Sequence, residues 1–220
     1  MLTPYIDLVY CNMYSTQKSD TWSRDILLHN IGQTTTDVAY LDQMHSDIIL
    51  DVTQWWLQWV GDAMITDTVG VMLEIRTADC VPILVAGRSF ADTPVIWAIH
   101  SGRAGTESNI VGKTIHKMQQ DYDLDISTCH IWVWPSACWE CYEFGDEVYD
   151  KFDKKYIAEK EWTMYLDVSG NVIDQLEDAW VNKSQIQKSS ICTITDTTHC
   201  YSYRREVTNS RIHHRIVITA

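Results

Sequence analysis

Short apolar runs rich in β-branched residues alternate along the chain with polar turns that contain Gly, Pro or Asp, a pattern typical of β-strands. In the N-terminal half this pattern predicts strands over residues 2–10, 38–44, 48–52, 62–66, 71–77, 82–86 and 95–99. In the C-terminal half it predicts strands over residues 129–134, 190–194 and 213–218. A tryptophan-rich stretch at residues 55–59 interrupts the series and is predicted to form an exposed hairpin or a lid.

Helical periodicity occurs in four segments, namely residues 22–31, the stretch after Gly105, residues 145–152 and residues 169–180. The second segment has a single apolar stripe formed by Ile110, Val111, Ile115 and Met118. Thr106 and Ser169 are the predicted N-caps, and Trp180 is predicted to lie on the buried face of the last helix. Since no linker or repeat divides the chain, we expect one mixed α/β domain over residues 1–220.

The overall composition argues against some classes of function. The chain has 220 residues, 45% of them apolar, and a formal net charge of −13. Such acidity disfavours binding to nucleic acids and to anionic membranes, although a local cationic pocket still suits a small anionic ligand. Residues 1–11 lack the Lys or Arg of a signal peptide, and no apolar run reaches the length of a membrane span. We therefore expect a cytoplasmic protein, monomeric or weakly self-associating, with reduced cysteines.

Three potential metal ligands follow predicted strands or lie between them. Cys80 comes shortly after the strand at residues 71–77, His100 directly follows the strand at 95–99, and His45 lies between two others. Two imidazoles and one thiolate form a ligand set that suits zinc, and three protein ligands leave a fourth position for water or substrate. Taken singly, Cys80 is more typical of a buried structural thiol, and each histidine of a hydrogen-bonded residue at a strand end.

Arginines near these residues are candidate phosphate ligands, because a guanidinium group pairs bidentately with phosphate oxygens. The candidates are Arg24, Arg76 and Arg204, and Arg76 is the strongest because it adjoins the Thr77-Ala78-Asp79-Cys80 turn. For Arg24 and Arg204, a surface ion pair is an equally good interpretation in so acidic a protein.

Weaker signals come from three other places. Asp79 is either a turn residue or the carboxylate that orients a ligating histidine. The Cys138-x-x-Cys141 spacing resembles redox and zinc motifs but lacks a second cysteine pair at a recognisable distance. His213 and His214 occur in a predicted strand, where one side chain faces in and one out, and surface histidines are the favoured interpretation.

Segments distributed along most of the chain add a resemblance to a known family. They are Gln43-Met44-His45, residues 61–66, residues 77–84, His100-Ser101-Gly102, Gly105-Thr106, Pro135-Ser136-Ala137, residues 141–148, Cys192-Thr193 and residues 201–205. Together and in this order they resemble the multicopper polyphenol oxidoreductase (laccase-like) family, whose members are better described as zinc-dependent purine nucleoside phosphorylases. The chain differs at Arg103-Ala104, where the family usually has Trp-Arg, and at residues 138–141, where it often has Gly-Pro-Cys-Cys.

The resemblance implies a fold, a metal site and an activity. The implied fold is a two-sheet β-sandwich flanked by helices, with His45, Cys80 and His100 as ligands of zinc. Cys80 and His100 would also take catalytic roles, and Gln43 would join Arg24 and Arg76 in substrate binding. The implied reaction is phosphorolysis of inosine, adenosine and guanosine, with deamination of adenosine as a further activity. The partners would be a nucleoside and phosphate.

Three other functions remain open on the sequence alone. The family's older name suggests a copper-dependent polyphenol oxidase, and copper can occupy the same ligands, but the eight histidines do not form paired clusters. A cysteine hydrolase would use Cys80 as nucleophile and His100 as base. A protein that only binds nucleosides is the non-enzymatic alternative.

Overall fold

The computed structural model describes residues 6–8, 11–16, 37–53 and 59–219, which form two six-stranded sheets and one three-stranded sheet. The first sheet contains, in spatial order, β1 (Ile6–Leu8), β2 (Cys11–Ser15), β15 (Ile212–Ile218), β7 (Val71–Thr77), β3 (Asp37–Asp42) and β5 (Trp59–Val60). The second contains β14 (Ile186–Lys188), β10 (Leu124–Val133), β8 (Val81–Ser89), β9 (Pro94–Ser101), β6 (Ala63–Thr66) and β4 (Ile49–Asp51). The third contains β11 (Glu143–Phe144), β13 (Thr163–Leu166) and β12 (Ile157–Lys160).

The two large sheets pack face to face, and the second is covered by helices on its other side. Along β8, Leu84 belongs to the apolar cluster shared with the first sheet, whereas Ile83 and Val85 belong to the cluster shared with the helices. Strands buried on both faces need apolar side chains at successive positions. For this reason the sequences of β8 and β9 contain uninterrupted apolar runs and do not alternate between apolar and polar residues.

The helices of the described chain are α1 (Arg103–Glu107), α2 (Ile110–Asp121), α3 (Val168–Asp178) and α4 (Tyr203–Glu206), with 3-10 turns at Asp146–Lys151, Lys154–Tyr156 and Lys183–Gln185. The predicted stripe of α2 is buried against the second sheet. The mixed α/β class expected from the sequence is therefore confirmed. Within the described ranges, no helix is long and apolar enough to cross a bilayer.

Both predicted helix caps are wrong. The helix predicted after Gly105 is divided in two, and Thr106 lies inside α1, where its hydroxyl donates to the carbonyl of Gly102. At α3 the capping side chain is Asp167, which accepts the backbone N–H of Gly170 at 2.7 Å, so the helix begins at Val168. A carboxylate two residues before the predicted cap competes successfully for the same free N–H groups.

Several element boundaries also differ from those predicted. Trp180 follows the end of α3 in a left-handed conformation and is 83% exposed, so it is not part of the buried face. Residues 190–194 form turns with one isolated bridge, and the strand beside β10 is β14. Residues 146–151 form a 3-10 turn where a helix was predicted over 145–152. The predicted helix at 22–31 and most of the tryptophan-rich stretch lie outside the described residues, as does part of the strand predicted over 2–10.

His213 and His214 do point in opposite directions as predicted, but the interpretation as surface histidines is wrong for His214. The His214 side chain is completely buried, with Nδ1 2.9 Å from the Ser15 hydroxyl and Nε2 2.8 Å from the Thr77 hydroxyl. His213 is half-buried and lies 3.0 Å from Glu74. Because the two residues are adjacent in a strand, their side chains point to opposite faces, and only that of His214 faces the core.

His214 gives an expected pH dependence of stability. Burial, reinforced by the neighbouring His213, lowers the pKa of His214 to about 3 from its usual 6.5. Below pH 6.5, His214 is protonated in the unfolded chain but stays neutral in the native state. The contribution of His214 to the free energy of unfolding is therefore complete above pH 6.5. It declines as the pH falls towards 3, by up to about 1.4 kcal/mol per pH unit.

Urea unfolding of wild type and His214→Asn between pH 7 and pH 4.5 measures this contribution. We expect the stability of the variant to fall less steeply with decreasing pH, whereas His116→Asn, which replaces an exposed histidine on α2, keeps the wild-type slope. Equal slopes for His214→Asn and wild type would show that the native state accepts the proton.

Candidate metal centre

The three predicted ligands come together where the chain passes between the two large sheets. Cys80 lies in the turn from β7 to β8, His45 lies between β3 and β4, and His100 lies near the end of β9. Their ligand atoms are all within 4.8 Å of one another. Cys80 Sγ is 3.5 Å from His45 Nε2, and the rings of His45 and His100 meet edge to face with centroids 4.9 Å apart. The spacing suits a single ion bound by all three.

His100 is oriented by a buried carboxylate. His100 is 3% exposed, and its Nδ1 lies 2.7 Å from Oδ1 of Asp62, which is fully buried. A carboxylate that receives one ring N–H fixes the ring and leaves the other nitrogen to bind a metal, an arrangement found in most zinc sites with histidine ligands. His100 Nε2 is thus the atom available for coordination.

Asp62 also holds the segment that carries His45. Its carboxylate accepts the backbone N–H groups of Met44, His45 and Ser46, at 3.3, 3.0 and 2.6 Å, and the Ser46 hydroxyl at 2.6 Å. His45 has a φ of 61°, a left-handed conformation that costs a non-glycine residue some energy unless surrounding contacts enforce it. These hydrogen bonds provide that enforcement, so one carboxylate positions two of the three ligands.

The orienting carboxylate was expected at Asp79, and the structure places it at Asp62. Asp79 instead accepts the Thr193 hydroxyl at 2.7 Å and the Arg204 N–H at 2.8 Å. It therefore joins the turn before Cys80 to the C-terminal part of the chain. Asp62 was missed because its only sequence signal was its place in a family-like segment, 38 residues before His100.

Close electrostatic contacts set the pKa values of Asp62, Cys80 and His100. Burial disfavours the charged form of Asp62, but hydrogen bonds from His100 and Ser46 outweigh it and lower the pKa to about 2. Burial likewise opposes ionisation of Cys80, but the charge and hydrogen bonds of His100 and His45 lower its pKa to about 6. Against its own burial, the Cys80 thiolate and Asp62 raise the pKa of His100 to about 9. The lowered pKa of Cys80 favours the thiolate, the form that binds a metal, and a metal bound at His100 would displace its proton.

A glycine makes room for the ligands. A Cβ atom on Gly102 would lie 2.5 Å from Cδ2 of His45 and 3.0 Å from Sγ of Cys80. Real Cβ atoms essentially never approach other atoms as closely as the first of these distances. The residue after Ser101 must therefore lack a side chain for the two ligands to keep their positions.

The ligands lie in a cleft of about 800 Å³. Its walls are formed by Asp42, Gln43, Arg76, Thr77, Ala78, Asp79, Tyr142, Tyr203, Arg204, Val207, Asn209 and Arg211, besides the three ligands. Three arginines and two carboxylates, Asp42 and Asp79, line the cleft, so its wall has a small positive excess in a protein with a net charge of −13. Such a pocket suits a small anion, as the sequence allowed.

The predicted substrate-binding residues have different surroundings. Gln43 lines the cleft, but its amide pairs with the backbone of Arg76 through two hydrogen bonds of 2.8 Å. Arg76 donates to the carbonyl of Leu41 at 3.1 Å, and its guanidinium lies 5.5 Å from the ring centre of Tyr40. Gln43 thus positions Arg76 at the cleft wall. Arg24 lies outside the described residues.

Sequence reasoning missed the role of Tyr142 as a wall of the cleft. The guanidinium carbon of Arg204 lies 3.9 Å from the centre of the Tyr142 ring. Arg204 lines the cleft beside this ring. Arg103, the arginine displaced relative to the family pattern, pairs with Glu107 at 3.2 Å and does not line the cleft.

Replacement of Asp62 by Asn tests its positioning role. The amide keeps the size of the carboxylate but loses the charge that holds His100 and the N–H groups around His45. We expect zinc affinity to fall by about 10- to 100-fold, the range typical for such orienting groups. Competition with a chromophoric chelator measures the change, and Asp42→Asn, at an exposed carboxylate of the cleft wall, is the matched control. An affinity within twofold of wild type would remove Asp62 from the metal site.

Comparison with known families identifies the chain. The model of the family described as multi-copper polyphenol oxidoreductase laccase matches residues 16–219. The chain belongs to this family. A purine nucleoside phosphorylase of Clostridium acetobutylicum is 38% identical over 176 residues, which cover 77% of this chain and 72% of that protein. A purine nucleoside phosphorylase of Aquifex aeolicus is 31% identical over 159 residues, covering 72% and 71%.

Two solved structures have the same fold. YfiH of Bacillus licheniformis superimposes with a TM-score of 0.84 at 19% identity, over 95% of this chain and 93% of that chain. YlmD of Geobacillus stearothermophilus superimposes with a TM-score of 0.80 at 22% identity, over 96% and 92%. The family's description names an oxidase, whereas the relatives with the higher identities are named phosphorylases, so the chemistry of the site must decide between the two names.

Proposed function

We propose that this family member is a zinc-dependent purine nucleoside phosphorylase that acts on inosine, adenosine and guanosine, with adenosine deamination as a second activity. The observation that carries the proposal is the His45, Cys80 and His100 group in a cleft walled by arginines. The names of the relatives in Clostridium acetobutylicum and Aquifex aeolicus support the same reaction class.

The residues of the site fit a zinc ion. His45, Cys80 and His100 would hold it, Asp62 orients two of these ligands, and Gly102 leaves the space that the ligand side chains occupy. A zinc ion with an open coordination position supplies a Lewis acid that polarises an oxygen atom or lowers the pKa of water, which suits both reactions.

The arginines of the cleft would bind phosphate. Arg76 lies four residues before Cys80; the Gln43 amide holds its backbone, and its guanidinium group donates to the carbonyl of Leu41 at 3.1 Å. Arg204 is held over Tyr142 on the C-terminal side of the same cleft. Guanidinium groups at fixed positions would orient the phosphate dianion towards the ribose and offset its charge.

The aromatic residues of the cleft would bind the nucleoside. Tyr142 and Tyr203 both line it, and a tyrosine ring offers an apolar face on which a purine can stack. As the bond between ribose and base breaks, charge develops on both fragments, and donors placed around the leaving base lower the barrier. In this account Tyr142, already packed against Arg204, positions the base.

Omitting phosphate is the first test of the proposed reaction. With inosine as substrate, chromatography of the products should show hypoxanthine release only when phosphate is present. With adenosine, conversion to inosine should continue without phosphate, because deamination consumes water alone. Base release that is equally fast without phosphate would make the enzyme a hydrolase.

Arg76→Ala tests the proposed phosphate site. We expect the phosphate KM to rise by roughly 10- to 100-fold, the equivalent of about 1.5–3 kcal/mol for a hydrogen bond to a charged group, with a smaller change in the inosine KM. The matched control is Arg88→Ala, which removes an arginine paired with Asp92 near the far end of β8. If both variants raise the two KM values alike, Arg76 does not bind phosphate.

A cysteine hydrolase is the second candidate, and one observation favours it. Cys80, His100 and Asp62 form a thiolate, imidazole and carboxylate series, with the His100 and Asp62 atoms 2.7 Å apart. This arrangement resembles a nucleophile with its base and an orienting acid. The two functions respond oppositely to zinc, since a phosphorylase of the proposed kind requires it and a thiolate nucleophile is blocked by it.

The copper oxidase named by the family description finds less support at the site. The described residues contain two groups of three potential metal ligands. Of these six residues, two are histidines, namely His45 and His100. Copper could replace zinc at this group, since divalent metal affinity rises to copper along the first row. Oxidation of a phenol by the copper-loaded protein, measured beside inosine cleavage on the same sample, separates the two activities.

A further inference from the structure

A second group of potential metal ligands lies beside the cleft wall. Cys138, Cys141 and Cys192 have sulfur atoms within 4.8 Å of one another. Cys138 and Cys141 are half-buried, and Cys192 is buried. None of the three lines the cleft that contains His45, Cys80 and His100, so the proposed phosphorylase reaction does not use them.

The backbone brings these thiols together by specific contacts. The N–H of Cys141 donates to the carbonyl of Cys138 at 3.1 Å, which closes a turn between the two cysteines of the Cys-x-x-Cys sequence. Ser136 forms a bridge with Cys192, and the N–H of Thr193 donates to the Ser136 carbonyl at 3.0 Å. The cluster therefore joins two segments about 50 residues apart, as many structural metal sites do.

One contact points directly to a thiolate. The backbone N–H of Cys138 donates to Sγ of Cys192 at 3.2 Å. An N–H group that points at sulfur favours the charged acceptor form, which is the form that binds metals. Three sulfurs bound to one zinc ion at about 2.3 Å lie roughly 3.8 Å apart, a spacing that the observed cluster accommodates.

We propose that Cys138, Cys141 and Cys192 form a second metal site that binds a thiophilic cation with a filled d shell, Zn²⁺ or Cu⁺. Three thiolates with no oxygen ligand favour soft and borderline cations over magnesium or calcium. A fourth position remains for water or an added thiol when the ion is zinc.

An ion at this site would brace the wall of the cleft. Cys141 adjoins Tyr142, and Cys192 adjoins Thr193, whose hydroxyl donates to Asp79 at 2.7 Å. The N–H of Ala137, beside Cys138, donates to the carbonyl of the same Asp79 at 2.9 Å. Since Asp79 directly precedes Cys80, the thiol cluster and the His45, Cys80 and His100 group are connected through one short turn.

Metal stoichiometry tests this inference without any assay of activity. The full chain, reduced and stripped with a chelator, is titrated with Zn²⁺, and in a separate anaerobic arm with Cu⁺ against a chromophoric competitor. We expect two equivalents of zinc for wild type and one for Cys138→Ser and for Cys141→Ser. Cys129→Ala, which removes a buried thiol from β10, should retain two. The Cu⁺ arm shows which of the two cations the cluster prefers.

A Co²⁺ titration of wild type tests the same site, and its result does not depend on whether any variant folds. A site with three thiolates should give a much stronger sulfur-to-metal absorption band than the single thiolate of Cys80 provides, and Cys138→Ser should reduce that band while it keeps the weaker one. A wild-type chain that binds only one equivalent of zinc and of Cu⁺, with a band of single-thiolate strength for Co²⁺, would overturn the inference. So would two equivalents of zinc in both serine variants.

Discussion

Cys80→Ser is expected to lose one equivalent of zinc and, with it, the release of hypoxanthine from inosine, while the fold persists. Cys80 would supply the single anionic ligand of its group, because His45 and His100 would coordinate as neutral imidazoles. A serine hydroxyl at the same place stays protonated and binds zinc poorly. We expect the loss of zinc affinity at this site to exceed the roughly 100-fold upper range for groups that only orient a ligand.

Zinc analysis of the purified variant, with circular dichroism and thermal unfolding on the same sample, measures this result. Cys129→Ser is the matched control, since it makes the same chemical change at a buried thiol in β10 and leaves both ligand groups intact. Normal zinc content and normal inosine cleavage in Cys80→Ser would show that the thiol is structural, the interpretation that Cys80 alone would have favoured.

Gly102→Ala is expected to weaken metal binding although residue 102 offers no ligand atom. The new methyl group would collide with His45 and crowd the sulfur of Cys80. Forcing one methyl group into a closely packed site costs about 1–3 kcal/mol, which corresponds to a roughly 5- to 150-fold loss of affinity if the ligands yield. Because His45 is exposed and on a loop, we expect the ligand to move and the overall fold to be spared.

Zinc competition titrations of Gly102→Ala and Gly145→Ala measure the effect with a matched control. The Cβ of an alanine at 145 would meet only the flexible end of the Glu147 side chain, which can turn away. We expect weaker zinc binding in the first variant alone, with little change in the thermal midpoint of either. If Gly102→Ala binds zinc as tightly as wild type, the arrangement of His45 around Gly102 is incorrect.

The sequence predicted the fold class and most central strands because strands such as β8 and β9 are buried on both faces. Such strands have apolar, β-branched runs that need no knowledge of the tertiary structure to recognise. The hairpin of β12 and β13 was not predicted, because its turn is formed by Glu161 and Trp162, with φ of 48° and 72°. Hairpin turns with positive φ usually contain Gly or Asn, and that signal is missing here.

The three candidate metal ligands could be recognised in the sequence, but the residues that hold them in place could not. Cys80 and His100 each follow a recognisable strand, and the family resemblance joined them to His45. Asp62 acts through hydrogen bonds to residues 16–18 positions before it and 38 positions after it, and no local pattern encodes contacts of that range. The expected cytoplasmic location, the weak self-association, and the single domain over residues 1–220 stay predictions.

The cluster of Cys138, Cys141 and Cys192 is a second case in which the sequence revealed only part of a group of neighbouring side chains. The spacing of Cys138 and Cys141 was a weak signal because the third cysteine, Cys192, lies far along the chain. Cys192 also has no second cysteine at a recognisable motif spacing. The bridge between Ser136 and Cys192 and the hydrogen bond from the Cys138 N–H to the Cys192 sulfur bring the third thiol within range. The tertiary structure thus places a third cysteine beside a pair whose spacing alone was a weak signal.

The most direct test of the central claim is a ³¹P NMR spectrum of wild type, supplied with zinc, inosine and phosphate, beside a quantification of hypoxanthine. The account predicts a new phosphate monoester signal, that of ribose 1-phosphate, in an amount equal to the base released. It also predicts that neither product forms with Cys80→Ser under the same conditions. Hypoxanthine accompanied by free ribose with no new phosphorus signal, or equal ribose 1-phosphate from Cys80→Ser, would contradict phosphorolysis at this metal centre.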